Sequence, residues 1–554
     1  ISDQPSALSQ VPASEPAGKL TTVADYSLFT THYLLSPPFI AALLFATHPI
    51  HTEVVAWVGA VTDLSFTFFY LLSLYFYMRS GIGFKKHDYL FSVILFPFAL
   101  LCKEPAATLP VVLMAYDLAY GKKGERLLIY VKRHLPYMVI LGIYLLVRAS
   151  VLGGLAPVKA HAELSTYQFV INVFPLFSQY LERLLFPINL NAFYTLHPIS
   201  SMGEMKGLLG LLITAAYGLI TIIANKKNQT AFFSLVLIAV PLLPALYIPG
   251  TGEASFAERY LYLPSMGFVV LVSLFLTWLR GKMSRYKSGI ILFVLALAGI
   301  YSLQTIGRNP IWKDNLVLFT DTVHKSPDAE LPRGMLGNVL MDMGRLDEAM
   351  EQYSAIIKLN PNSPEAHRNL GLAYKKKGMK KEAIEEYQKA VAIAPADFEA
   401  RRGLVLAYEE AGLLDEEIKQ YRILLDYTPK SAETHGRLGK ALAKKGMREE
   451  AISHLKQAVA LNPDYIDAHY SLGSLYADSG KTEEALENFK AAVRLAPDDA
   501  FYRNILGIAY GQKGLFDKAV EQFEAAVRLA PSESSYRANL ERALKLKKSA
   551  GMKE

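Results

Sequence analysis

Cysteine is almost missing: the 554 residues contain one, Cys102. That excludes intramolecular disulfides and thiolate zinc clusters, and because Cys102 closes an apolar run it reads as a small buried hydrophobe. A strong excess of one charge sign is lacking too. The formal net charge is +7, and the Lys and Arg residues of the first half fall between apolar runs without forming a basic face. Nucleic-acid binding is left without support. Residues 1–32 are polar and rich in Pro, Ser and Ala, with no initiating Met, no basic start and no short apolar core. They are not a signal peptide, and the chain reads as starting inside a longer gene product or as mis-started.

What is present is unevenly distributed. Residues 33–306 are mostly apolar, whereas 307–554 are charged and alanine-rich, which implies two domains of different solvent class. A bilayer core of about 30 Å needs about 20 helical residues. Candidate spans are 33–48, 62–79, 89–102, 105–120, 135–151, 207–224, 231–248, 260–279 and 288–306, about nine in all. Short cytoplasmic loops carry the excess of Lys and Arg. On that rule the segments "RSGIGFKKH" (79–87), "GKKGERLLIYVKRH" (121–134), "NKKN" (225–228) and "RGKMSRYK" (280–287) lie in the cytoplasm. The segments around 49–61, 103–104, 152–206 and 249–259 then face outward, and so does everything after residue 307. Counting 166–186 as a further span would reverse every later loop. Its Gln168, Asn172, Gln179, Glu182 and Arg183 instead predict an amphipathic helix at the outer interface.

The second half is a repeat. Prolines stand at 327, 361, 395, 429, 463, 497 and 531 and glycines at 344, 378, 412, 446, 480 and 514, each 34 residues apart. That is the tetratricopeptide period. Leu370-Gly371, Leu438-Gly439, Leu472-Gly473 and Leu506-Gly507 recur in the first helix, and Ala349, Ala383, Ala451, Ala485 and Ala519 in the second. The third repeat departs, with Val405 for Gly and Glu417 for Ala. The expected organisation is a connector at 307–326, six repeats over 327–531, and a solvating helix and tail at 532–554. The fold class is all-α: a polytopic membrane helical domain followed by a tetratricopeptide-repeat superhelix, whose concave groove is a surface for peptide or protein.

The stretch "ATHPIHTEVVAW" (46–57) sets His48 and His51 three apart with Glu53 two further on. A helical two-histidine metal motif needs spacing of four, and Pro49 disfavours helix at His48, so no metal and no cofactor are expected. His48, His51, Glu53 and Asp63 gather on the outer face together with Lys103, Glu104, Glu258 and Arg259. Ionisable groups beside hydrocarbon are costly unless paired or wetted, so they mark either a site or ion pairs tying helices together. Arg259 and Lys103 suit an anionic headgroup such as a lipid phosphate.

"FATHPIHTEVVAWVGAVTDL", "LLCKEPAATLPVVLMAYDL", "ERYLYLPSMGF" and "GRNPIWKDN", in that order before tetratricopeptide repeats, resemble the transmembrane and tetratricopeptide-repeat O-mannosyltransferase family, in a bacterial type. The resemblance implies a C-type glycosyltransferase. It would take a sugar, mannose in the best-known members, from a polyprenyl- or dolichyl-phosphate donor and transfer it to a protein hydroxyl on the outer side, where the repeats also lie. An integral protein of a bacterial inner membrane is expected, with the bilayer, the lipid-phosphate sugar and an acceptor protein as partners. In that family the catalytic acidic residues sit in the first outer loop, between the first two spans. No counterpart occurs here: residues 1–32 hold Asp3, Glu15 and Asp25 but no paired acidic motif. The catalytic base is thus unassigned, and the chain is expected either to lack two helices or to be a divergent or inactive copy. His48, His51, Glu53, Asp63, Lys103, Glu104, Glu258 and Arg259 carry over as candidates for donor or substrate binding. The rival class is a non-catalytic membrane-anchored repeat scaffold, which upstream sequence bearing two further spans and an acidic loop would disfavour. A transporter is disfavoured by clustering at one face, since transporter sites lie near the midplane.

Overall fold

The computed structural model describes residues 36–81, 85–121, 127–154, 164–195, 197–247, 256–283 and 287–550. The polar segment 1–32 lies outside the described residues, as do parts of the basic loops after 81, 121 and 283. Among the described residues there is no strand, only an isolated bridge between Tyr194 and Phe256. The chain divides into two units, Ile1–Pro332 and Arg333–Glu554.

In the first unit five helices are long and apolar enough to cross a membrane: Val61–Ser80, Ile129–Leu152, Met205–Lys227, Glu258–Lys282 and Ser288–Trp312. A sixth candidate is the pair Pro37–Thr47 and Pro49–Ala56, bent by 49°. The break falls where Pro49 forces His48 out of the helical region, to φ −65° and ψ 123°. The other three stretches read as spans are shorter helices. Lys86–Cys102 has 17 residues and Leu109–Tyr120 has 12, with Lys103 in extended backbone between them. Gln229–Ala239 has 11.

The stretch read as an interfacial helix folds as Thr166–Leu185 and does not rank with the spans. Ser165 opens it with a capping box: its hydroxyl accepts from the Gln168 N–H while Gln168 accepts from the Ser165 N–H. One face buries Ile171, Leu176, Phe177, Tyr180 and Leu184. Gly210 lets the helix Met205–Lys227 approach closely, since a Cβ there would stand 2.6 Å from the Pro175 nitrogen. The connector forms the helix Asn315–Lys325, which ties back to the loop after 185: Lys325 donates to the Leu190 carbonyl at 2.9 Å and Asn191 donates to Ser326 at 2.8 Å.

The second unit is a run of antiparallel helix pairs, such as Pro364–Lys376 with Lys380–Ile393 and Ala432–Lys444 with Arg448–Leu461. Every intra-pair turn uses a glycine at positive φ, from +72° at Gly412 and Gly480 to +84° at Gly446. Inside the pairs, a Cβ on Gly473 would meet the Phe489 ring at 2.5 Å, and one on Gly507 the Phe523 ring at 2.8 Å. Ala349, Ala383, Ala451, Ala485 and Ala519 are buried to 1% exposure or less, as close helix approach demands. The helix Ser534–Ala550 closes the array.

Candidate functional site

Burying a carboxylate without an opposite charge costs several kcal/mol, so each buried acid of the first unit should have found a cation. Each has. Glu53, 1% exposed, accepts from the Arg259 guanidinium at 2.6 Å and from the Arg259 backbone N–H at 3.0 Å. Asp63 receives the Lys103 ammonium on both oxygens, at 2.5 and 2.6 Å. Glu258, fully buried, accepts from Arg308 at 2.5 Å, from the Asn191 backbone N–H at 2.6 Å and from the Tyr194 hydroxyl. Glu104, half exposed, pairs with Arg148 at 2.9 Å. Local backbone delivers these groups: the bend at Pro49 presents Glu53, the start of Val61–Ser80 presents Asp63, the extended Lys103 breaks the helix ahead of Glu104, and a 3-10 turn at Glu258–Leu261 carries Glu258 and Arg259.

The cations converge on aromatic faces. The Tyr260 ring lies 5.3 Å from the Arg259 guanidinium and 5.2 Å from the Lys103 ammonium. Arg259 also lies 5.7 Å from Trp57, which stacks on Trp312 at 6.5 Å, and Arg308 lies 6.0 Å from Trp312. Burial pulls the Lys103 ammonium below its ordinary pKa, against the opposing attraction of Asp63. Lys103 and Arg259 keep 16% and 21% of their side chains exposed, whereas Asp63 and Glu53 behind them keep 2% and 1%. The arrangement is therefore a charge-balanced cluster in which Lys103 and Arg259 reach the surface and the two acids that hold them, Asp63 and Glu53, do not.

The histidines do different work. His48 donates from Nε2 to the Leu184 carbonyl at 3.2 Å and accepts the Ile50 N–H on Nδ1 at 3.3 Å, which uses both ring nitrogens of a neutral imidazole. Ser265 donates to the Tyr262 carbonyl, so its oxygen accepts from His51 Nε2 at 2.9 Å. Both rings are buried among Phe45, Tyr262, Phe268 and Tyr301. Among the described residues no three His, Cys, Asp or Glu side chains are placed to hold a metal ion.

The six charged candidates thus come together as ion pairs, and His48 and His51 tie the bend to Leu184 and Ser265. Sequence reasoning missed Arg308, Arg148, Asn191, Tyr194, Trp57 and Trp312. The need of Glu258 for a cation was legible; its identity 50 residues downstream was not. Also missed is a second knot at the opposite ends of the same helices. There Asp117 receives Arg133 at 3.0 Å, His134 at 3.0 Å and the Tyr77 hydroxyl at 2.6 Å, with all four side chains buried. It closes the helix bundle away from Lys103.

A polytopic helical unit joined to a tetratricopeptide array defines the class: an integral membrane protein carrying tetratricopeptide repeats. Family models described as tetratricopeptide repeat match residues 364–397, 381–432, 437–500 and 502–533, and one described as TPR repeat matches 337–378. The chain is similar to proteins named protein O-mannosyl-transferase. It is 27% identical over 331 residues to one from Caenorhabditis elegans, covering 58% of this chain and 46% of that protein. It is 26% identical over 378 residues to TMTC3 of Mus musculus, covering 61% and 40%. To Tmtc2 of Drosophila melanogaster it is 34% identical over 146 residues, covering 26% and 15%. The chain thus spans less than half the length of these relatives. Among solved structures, MamA of Desulfovibrio magneticus RS-1 covers 33% of this chain and 96% of its own at 19% identity, with a TM-score of 0.29.

Proposed function

We propose that this chain belongs to a membrane glycosyltransferase that moves a sugar, mannose by analogy with its named relatives, from a polyprenyl-phosphate carrier to a protein Ser or Thr hydroxyl on the extracytoplasmic side. The observation that carries the reading is the cluster around Tyr260, where two cations backed by buried acids reach the surface beside tryptophan faces. A phosphate leaving group needs preorganised positive charge, and cations held from behind by carboxylates cost no reorganisation when it forms. Lys103 and Arg259 are assigned to the donor phosphate. Glu53 and Asp63 hold them in place, Glu258 with Arg308 fixes the turn that presents Arg259, and His48 and His51 brace the bend that presents Glu53. The carboxylate that accepts the hydroxyl proton is assigned to no residue of this chain. The repeats present the acceptor protein.

The test uses membranes containing the full-length protein and labelled polyprenyl-phosphate mannose. Transfer of label to protein is expected, and its absence from a folded sample overturns the reading. Arg259→Lys keeps the charge that Glu53 requires but loses the planar fork, so donor use should fall about tenfold with folding intact. Unchanged donor use removes Arg259 from the site.

A further inference from the structure

The repeat array encloses a cavity of about 260 Å³ between the helices Phe398–Ala411, Leu414–Tyr427, Ala432–Lys444 and Ile466–Asp478. Glu417 lines it. At this position five other repeats carry alanine, and Glu417 is 4% exposed. A carboxylate in a helix-packing position costs stability and nothing in the pairing of these helices requires it, which is the mark of a residue kept for a ligand.

The other charges on the wall are engaged. Arg437 donates to Glu433 at 2.9 Å, Glu409 lies 3.7 Å from Arg437 and 3.9 Å from Lys444, and Asp467 accepts from the Tyr502 hydroxyl. Among the described residues Glu417 and the exposed Lys440 make no hydrogen bond or ion pair, although the charges of Lys444, Arg437 and Lys440 all act on Glu417. The cavity wall therefore offers one free acceptor and one free donor of opposite sign. A cationic side chain would meet Lys440 and Arg437, and an anionic one would meet Glu417 and Glu409. A neutral group that both donates and accepts satisfies both.

Two further cavities of about 300 and 320 Å³ lie beside it along the preceding repeats, the first sharing Tyr421 and Arg437 with it as wall and the two sharing Glu399, Arg402 and Leu406 with each other. A row of adjacent cavities of that length suits an extended chain and not a compact small molecule. We propose that this groove takes an uncharged extended polypeptide, with Glu417 and Lys440 forming a subsite for a hydroxyl or primary amide side chain. The inference rests on the reading of the repeats as the acceptor-holding surface, and it is tested by binding alone, without sugar transfer.

The experiment measures fluorescence anisotropy of labelled nine-residue peptides with the full chain in detergent. The peptides alternate alanine with threonine, asparagine, alanine, aspartate or lysine. Threonine and asparagine peptides should bind about tenfold tighter than the all-alanine peptide, and the charged ones no tighter than it. Glu417→Ala restores the residue of the other repeats, so it keeps the fold while removing the threonine and asparagine preference. No binding, a preference for a charged peptide, or a preference that survives Glu417→Ala each overturns the proposal. Retained peptide discrimination in a protein without transferase activity would leave this inference standing and sink the proposed function instead.

Discussion

The two units answer the same problem, a polar group taken out of water, in different ways. In the first unit every buried acid of the cluster around Tyr260 is met by a full opposite charge: Glu53 by Arg259, Asp63 by Lys103, Glu258 by Arg308. In the repeats, helix pairs are latched by neutral or singly charged partners on a 34-residue period. Arg401 donates to Gln420 and to the Pro395 carbonyl, and Arg503 donates to Gln522 and to the Pro497 carbonyl. His367 bridges Glu386 and the Pro361 carbonyl, and His469 bridges Asn488 and the Pro463 carbonyl. The difference follows from solvent. Where lipid and protein surround a charge, only another charge offsets the lost hydration; where water reaches one side, amide and carbonyl partners suffice.

The comparison is broken most directly by removing one cation from each unit. Arg308→Ala leaves Glu258 buried and uncompensated and should cost the first unit about 3–5 kcal/mol in a mixed-micelle unfolding titration. Arg402→Ala in the repeats removes a surface partner of Glu399 and should cost no more than about 0.5 kcal/mol. Equal losses would erase the distinction between the units.

A smaller effect of opposite sign is expected at Glu417, the repeat residue that behaves as if it belonged to the other unit. Burial, reinforced by Glu409, raises its pKa above the ordinary carboxylate value. Its folded state therefore binds a proton more tightly than the unfolded chain does, and stability is lost as pH rises through that raised pKa. Glu417→Ala should stabilise the repeats by about 1–3 kcal/mol at neutral pH and by nothing below about pH 4. A gain that persists unchanged in acid would show that packing, not charge, is responsible.

The smallest effect is expected at the fourth latch, where a histidine replaces the neutral partner. His435 donates from Nε2 to the Pro429 carbonyl, so its Nδ1 accepts from His454 Nδ1 at 3.0 Å. Burial, then His435, lowers the His454 pKa, while Glu450 opposes and Arg422, paired with Glu450 at 2.8 Å, adds to the lowering. A lowered folded pKa means stability held above about pH 6.5 and lost as pH falls below it. His454→Gln, which installs the partner found at 352, 420 and 522, should abolish that acid loss, worth under about 1 kcal/mol in urea melts at pH 5.5 and 7.5. A wild-type curve flat between those pH values would contradict the reading.

Legibility in the sequence also divides by unit. The repeats were readable almost residue by residue, because one helix pair recurs and each Gly, Ala and Pro has the same job every 34 positions. The Arg/His latch at 333, 367, 401, 435, 469 and 503 has the same period, yet it escaped notice because its members differ in type. In the first unit, hydropathy identified nine apolar stretches but could not separate helices of crossing length from the short ones at 86–102, 109–120 and 229–239. The break at Lys103-Glu104-Pro105 was legible as the boundary between two of these stretches; the length of the helix on each side, set by backbone geometry, was not.

The sequence by itself determined the all-α class, the repeat register, the amphipathic character of 166–185, and which ionisable residues stand between apolar runs. These properties are local, carried by periodicity and by single residues such as Pro49 and Gly446. Only the tertiary structure decided that Glu53 meets Arg259 across 206 positions, that Glu258 meets Arg308, and that Glu417 faces a cavity with Lys440 and no partner. Pairing between distant helices depends on how they cross, and charge alone offers several partners of equal merit until packing chooses among them.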